Sequence, residues 1–125
     1  MYCVGIARKF FVFFAMVFGL LFIGQVRAQT ETLEAGVQAM GRGHYATALR
    51  AFRNLAKTGD AQAENNIGYL YERGLGVPQD YGMALKWYKL AASKALPEGE
   101  YNTGLLYHQG YGVAKNQSEA KKWFE

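Results

Sequence analysis

The chain has 125 residues but only one cysteine, two prolines and two histidines, and each scarcity closes off a class of function. Cys3 stands near the N-terminus, so the rest of the chain can form neither an internal disulfide nor a thiolate metal site. It also precedes the apolar run that follows, so it is not placed as a lipoprotein acylation site. His44 and His108 make no H-x-x-x-H pair and have no carboxylate cluster beside them, which removes the usual zinc sets. Ser93 and Ser118 lie in no Gly-x-Ser-x-Gly elbow and have no recognisable histidine partner. Without a nucleophile, a metal set or an acid–base pair, the sequence reads as a non-enzyme: no catalytic residue, no metal and no cofactor are expected.

Long apolar runs are also scarce. The one present runs from Phe10 to Ile23, follows Arg8-Lys9 and precedes Val26-Arg27-Ala28. A positive start, a short apolar stretch and small residues at a cut site make an export signal, and the run is shorter than the roughly 20 apolar residues a membrane-spanning helix needs. Residues 1–28 are therefore expected to be a signal peptide cleaved after Ala28, giving a periplasmic or secreted protein. The alternative is an inner-membrane signal-anchored protein, and membrane association is expected only through an uncleaved leader. The formal charge of +4 belongs largely to this segment. Without Arg8, Lys9 and Arg27, the 14 basic residues fall to 11 against 10 acidic ones, a net of +1. No clustered basic face is evident in the remainder, and nucleic-acid binding is not expected.

Glycine is plentiful, with 15 residues, and its placement is periodic. The stretch Asn66-Ile67-Gly68-Tyr69-Leu70-Tyr71-Glu72-Arg73-Gly74-Leu75-Gly76-Val77 returns 36 residues later as Asn102-Thr103-Gly104-Leu105-Leu106-Tyr107-His108-Gln109-Gly110-Tyr111-Gly112-Val113. The register continues through Ala84 and Ala120, Trp87 and Trp123, and Tyr88 and Phe124. A period of this length marks stacked supersecondary units. Within each unit the apolar spacing is helical. One helix is predicted from about Ala61 to Arg73 and is stopped by Gly74. The next starts after Asp80 as N-cap and runs to about Ala95. The following pair spans about Glu98 to Gln109 and a final helix after Asn116, where Asn116 and Glu119 form a capping box. Upstream, about Glu31–Gly41 and Tyr45–Thr58 make a further pair with a tighter turn. Gly36 to Ala48 is 12 residues, whereas Gly68 to Ala84 and Gly104 to Ala120 are 16 each.

The run A-x-A-x-x-N-x-G-x-L-Y-x-x-G-x-G-V-x-x-D-x-x-x-A-x-x-W-Y-x-x-A, from Ala61 to Ala91, resembles the Sel-one-like repeat, a branch of the tetratricopeptide-repeat superfamily with a longer loop inside the hairpin. The resemblance divides the chain into a tetratricopeptide-like first hairpin (29–60), one Sel-one-like repeat (61–96) and a second, incomplete one (97–125). It implies an all-α fold, a right-handed superhelical solenoid of about three antiparallel helix hairpins, and a role in protein–protein scaffolding. Glycines inside helices cost about 1 kcal/mol relative to alanine. Gly68 and Gly104 are accordingly expected to admit the close approach of the helices carrying Ala84 and Ala120. The periodic aromatics Tyr71, Tyr107, Trp87 and Trp123 are expected in the core. Glu64, Glu72 and Glu100 read as ordinary solvated carboxylates. The Gly-x-Gly pairs at 74–76 and 110–112 follow helices rather than strands, so they are not dinucleotide loops.

In relatives of this architecture the first helix of each pair lines the concave face. Carried onto this chain, that implies a partner-binding surface at Gln62, Asn65, Tyr69, Glu72 and Arg73, and at Tyr101, Leu105 and His108 with Glu98 and Gln109 beside them. Leu33, Val37 and Met40 would extend it from the first pair. The expected ligand is a peptide or protein segment held by the Asn65 amide and by stacking on Tyr69 and Tyr101. A cell-wall ligand-binding protein or enzyme is the alternative. The aromatic end at Trp123 and Phe124 reads as an uncapped repeat face, and docking or self-association through it is expected.

Overall fold

The computed structural model describes residues 32–125, and the expected signal peptide lies outside them. The chain divides into two units at residue 30; all that follows concerns the second. Six helices and no strand are present among the described residues. They are α1 (Leu33–Gly41), α2 (Tyr45–Ala56), α3 (Ala61–Arg73), α4 (Tyr81–Ala92), α5 (Pro97–Gln109) and α6 (Gln117–Phe124). Each packs on the next, and α3 also touches α5. This is an all-α array of three hairpins. None of these helices is long and apolar enough to cross a membrane.

Helix starts follow from short polar caps that take up free backbone amides. Thr32 Oγ1 accepts from the Ala35 amide at 3.2 Å, Asp60 from Ala63 at 2.9 Å and Asp80 from Met83 at 2.9 Å. Asn116 accepts from Glu119 at 2.9 Å, but the reciprocal half of the expected capping box is missing. The Asn116 amide donates instead to the Tyr107 carbonyl at 2.9 Å, as the Asp80 amide does to Tyr71 at 3.0 Å. The carboxylate of Glu119 is left to Lys122. α4 ends at Ala92 rather than near Ala95. Ala95 takes a left-handed φ of 58°, at the register position where the preceding linker has Gly59 with φ 84°.

The turns inside the hairpins confirm the spacing argument: three residues (42–44) between α1 and α2, seven in each of 74–80 and 110–116. The extra four let the loop reach back onto the preceding hairpin. Gly112, at φ 69°, lies against the backbone of Tyr81 and Gly82, so a side chain there is excluded by both strain and space. Tyr111 from the same loop stacks on Tyr81, with ring centroids 4.6 Å apart.

Two apolar clusters form the interior. Ala48, Leu49, Phe52, Ala63, Ile67 and Leu70 join the first hairpin to the second. Ala84, Leu85, Tyr88 and Leu106 join the second to the third. The helical glycines admit the close approach of the facing helices, as expected, and an aromatic ring of each facing helix fills the space. A Cβ on Gly68 would lie 2.7 Å from the Tyr88 ring, one on Gly104 2.5 Å from Phe124, and one on Gly36 2.5 Å from Phe52. Each glycine is thus a seat for the aromatic ring four residues beyond the buried alanine of the facing helix. Trp87 and Trp123 are only partly buried, and their indole nitrogens, although enclosed, have no hydrogen-bond partner. Tyr71 and Tyr107 are also partly buried.

Candidate functional site: an aromatic groove between α5 and α6

Tyr101, Leu105 and His108 follow one another at spacings of four and three, which puts them on one face of α5. The end of α6 brings Trp123 and Phe124 alongside. Together with Pro97, Glu100 and Glu125 they line a groove of about 550 Å³. The Tyr101 and Phe124 rings sit 5.7 Å apart, tilted by 47°, and are 56% and 47% exposed. Two exposed rings in contact, one seated on a glycine, give a rigid apolar floor. Tyr and Trp supply large contact area with few rotamers to freeze. Glu100 and Glu125 place carboxylates at the rim.

His108 is held in place by Gln117. Its Nδ1 lies 2.7 Å from Gln117 Oε1, while Gln117 Nε2 donates to the His108 carbonyl at 3.3 Å. Because the amide nitrogen is occupied as a donor, its oxygen must accept, so the neutral imidazole carries its proton on Nδ1 and offers Nε2 as an acceptor. Gln117 lies on α6, so the spacing along α5 does not reveal it.

Two residue sets that sequence reasoning kept apart, the α5 stripe and the Trp123–Phe124 end, therefore form one site. The matching stripe on α3 is not part of it. Asn65 Oδ1 accepts from Asn102 Nδ2 at 3.0 Å, and Glu72 accepts from the Tyr88 hydroxyl at 2.5 Å. The Arg73 guanidinium lies 5.6 Å over the Tyr69 ring, and Gln62 is partly buried. Burial first, then the hydrogen bond to Glu72, raises the Tyr88 phenol far above its usual range, so it stays a donor. On α1, Val37 is exposed, whereas Leu33 and Met40 pack against the first cluster. Glu64 corrects the expectation of a solvated carboxylate: it is 3% exposed and pairs with Lys94, with Oε2 unpartnered. No group of three or more His, Cys, Asp or Glu is arranged to hold a metal among the described residues.

Hairpins stacked in register, each with a glycine seat for a ring from its second helix, define an α-α repeat solenoid. The Sel1 repeat model matches residues 61–96 and 97–125, more than half of the chain, and the chain belongs to the Sel1 repeat family. It is similar in structure to a Sel1 repeat protein from Oxalobacter formigenes, with TM-score 0.70 and 34% identity, over 74% of this chain and 38% of that one. It is likewise similar to a protective antigen of uropathogenic Escherichia coli strains that displays an SLR fold, with TM-score 0.68 and 36% identity, over 80% of this chain and 23% of that one. The chain thus spans well under two thirds of either structure. A comparison with curated proteins finds no match. The repeat fold suggests a protein–protein interaction scaffold.

Proposed function

We propose that the chain is an exported scaffold that captures a peptide or protein segment, and that the α5–α6 groove is where the segment is gripped. The observation that carries this reading is the groove itself: Tyr101, Leu105, His108, Trp123 and Phe124 meet around one open volume, and two of the rings remain exposed. Such a floor suits aromatic or aliphatic side chains. The Glu100 carboxylate suits a cationic neighbour, and the free His108 Nε2 suits a backbone amide. The α3 stripe would contribute less, because Asn65 and Glu72 would first have to release their internal partners. Export rests on the leader-like segment of residues 1–28 and places the work in the cell envelope or the medium.

The test is selection of short peptides from a random display library on the chain. Selected sequences are expected to combine apolar side chains with Lys or Arg, and Tyr101→Ala with Phe124→Ala should weaken them by about tenfold or more, roughly 1.4 kcal/mol. Binding unchanged in the double variant contradicts the reading. Sedimentation equilibrium over a range of concentrations tests whether two copies close this groove on each other: association lost in the same variant supports self-association, and a monomer throughout excludes it.

A further inference from the structure

The charges of the chain nearly cancel beyond residue 28, yet the fold separates them by helix. α1, α3 and α5 contain Glu34, Glu64, Glu72, Glu98 and Glu100 against a single Arg73. α2 and α4 contain no acidic residue at all. Their exposed positions include Arg50 and Arg53 on α2, followed by Lys57, and Lys86 and Lys89 on α4. Arg50 and Lys86 are 36 residues apart, as are Arg53 and Lys89, so the same face of successive hairpins repeats the same cations. This corrects the expectation that no basic face exists. The period that builds the core also lines up the charges, which a count over the whole chain averages away.

None of these five cations has an ion-pair partner among the described residues, where the ion pairs are Lys94–Glu64, Lys121–Glu125 and Lys122–Glu119. Three are held by neutral groups instead, Lys57 Nζ donating to Asn54 Oδ1 at 3.5 Å. Arg53 Nη2 donates to the Tyr71 hydroxyl at 3.1 Å and Lys89 Nζ to the Tyr107 hydroxyl at 3.2 Å. A phenol fixes the side chain and leaves its charge uncancelled, so part of the ordering cost of binding an anion is already met. On α4 the cations flank a second groove, of about 430 Å³, lined by Gly82, Leu85, Lys86, Lys89, Leu90 and Ser93. Leu90 is 39% exposed.

We propose that the outer faces of α2 and α4 form a second interaction surface, separate from the aromatic groove, that takes an acidic protein segment carrying apolar side chains. Carboxylates would meet the ordered cations, and an apolar side chain would enter the groove at Leu85 and Leu90. A lipid surface fits less well, because Leu90 is the only large exposed hydrophobic on these two helices and interfacial insertion needs an apolar face. A nucleic acid fits less well because no exposed aromatic ring stands on either helix to stack a base.

Fluorescence anisotropy of a labelled peptide of Glu and Leu at helical spacing, titrated with the chain, tests this directly. Saturable binding is expected, with a Lys and Leu peptide of the same pattern failing to bind. Lys86→Glu with Lys89→Glu should weaken binding by about tenfold or more, and raising salt from about 0.05 M to about 0.5 M should weaken it several-fold. Tyr101→Ala with Phe124→Ala, which disables the other groove, should leave it unchanged. A circular dichroism spectrum and melting curve check that the charge-reversed variant is folded, and Arg50→Glu with Arg53→Glu repeats the test on α2. Equal binding of the acidic and basic peptides overturns the proposal. So does indifference to both charge reversals, or full displacement by vesicles rich in phosphatidylglycerol or by a single-stranded oligonucleotide.

Discussion

Residues 61–96 and 97–125 share one register and differ in what covers them. In the first, Tyr88 sits on Gly68, is 1% exposed, and donates its hydroxyl to Glu72. In the second, Phe124 sits on Gly104, is half exposed, and has His108 at the position of Glu72. Both partners of the hydrogen bond change together, from Tyr and Glu to Phe and His. Glu64 is buried against Lys94, whereas its counterpart Glu100 lines an open rim. The same seat is therefore a sealed seam in one unit and a lined groove in the other. A repeat motif specifies the ring and its glycine; the neighbouring helix decides whether they are core or surface.

Urea unfolding of matched substitutions breaks this contrast most sharply. Tyr88→Ala should cost about 3–5 kcal/mol, the loss expected for a buried aromatic ring, and Phe124→Ala under about 1.5 kcal/mol because half of its surface is already wet. Equal losses would mean that the third hairpin is as tightly covered as the second. The next largest effect concerns the ion pair. Lys94→Met leaves the Glu64 carboxylate enclosed without a cation, and should cost about 1–2 kcal/mol. This lies below the 3–5 kcal/mol of a fully buried pair because Lys94 is partly in solvent. Glu64→Leu in the same chain should recover most of it, whereas Glu100→Leu, at the matching position, should change stability by less than about 0.5 kcal/mol. The smallest effect compares linkers: Ala95→Gly restores the residue type found at Gly59, and should stabilise by about 0.5–1 kcal/mol by relieving the left-handed strain. A destabilised Ala95→Gly variant would contradict that account.

Much of the fold was legible because its signals are local. Asp80 and Asn116 as caps, Gly74 and Gly110 as stops, and the four-residue difference between hairpins all act within a turn or two of themselves. Gly68 and Gly104 are recognisable as close-approach sites and the approaching helices can be named, but spacing alone does not tell which side chain of the helix fills the space. The second half of the capping box failed because a carbonyl from another helix took the Asn116 amide. The aromatic residues of the groove were visible individually, while their convergence was not, because Tyr101 and Phe124 are far apart in sequence. Glu64 looked like any helical carboxylate until Lys94, thirty residues on, was placed beside it. The cationic rows were hidden by arithmetic over the whole chain, and emerge only when charges are counted helix by helix.

The central claim is that the α5–α6 groove binds a segment while its counterpart in the preceding unit is closed by packing. Each unit contains one tryptophan, Trp87 and Trp123, so the two indole N–H signals in a proton–nitrogen correlation spectrum report on both places at once. On titration with a peptide selected by display, the account predicts that the Trp123 signal shifts and saturates while the Trp87 signal stays in place. Movement of Trp87 alone, or of neither signal with binding intact, would contradict it.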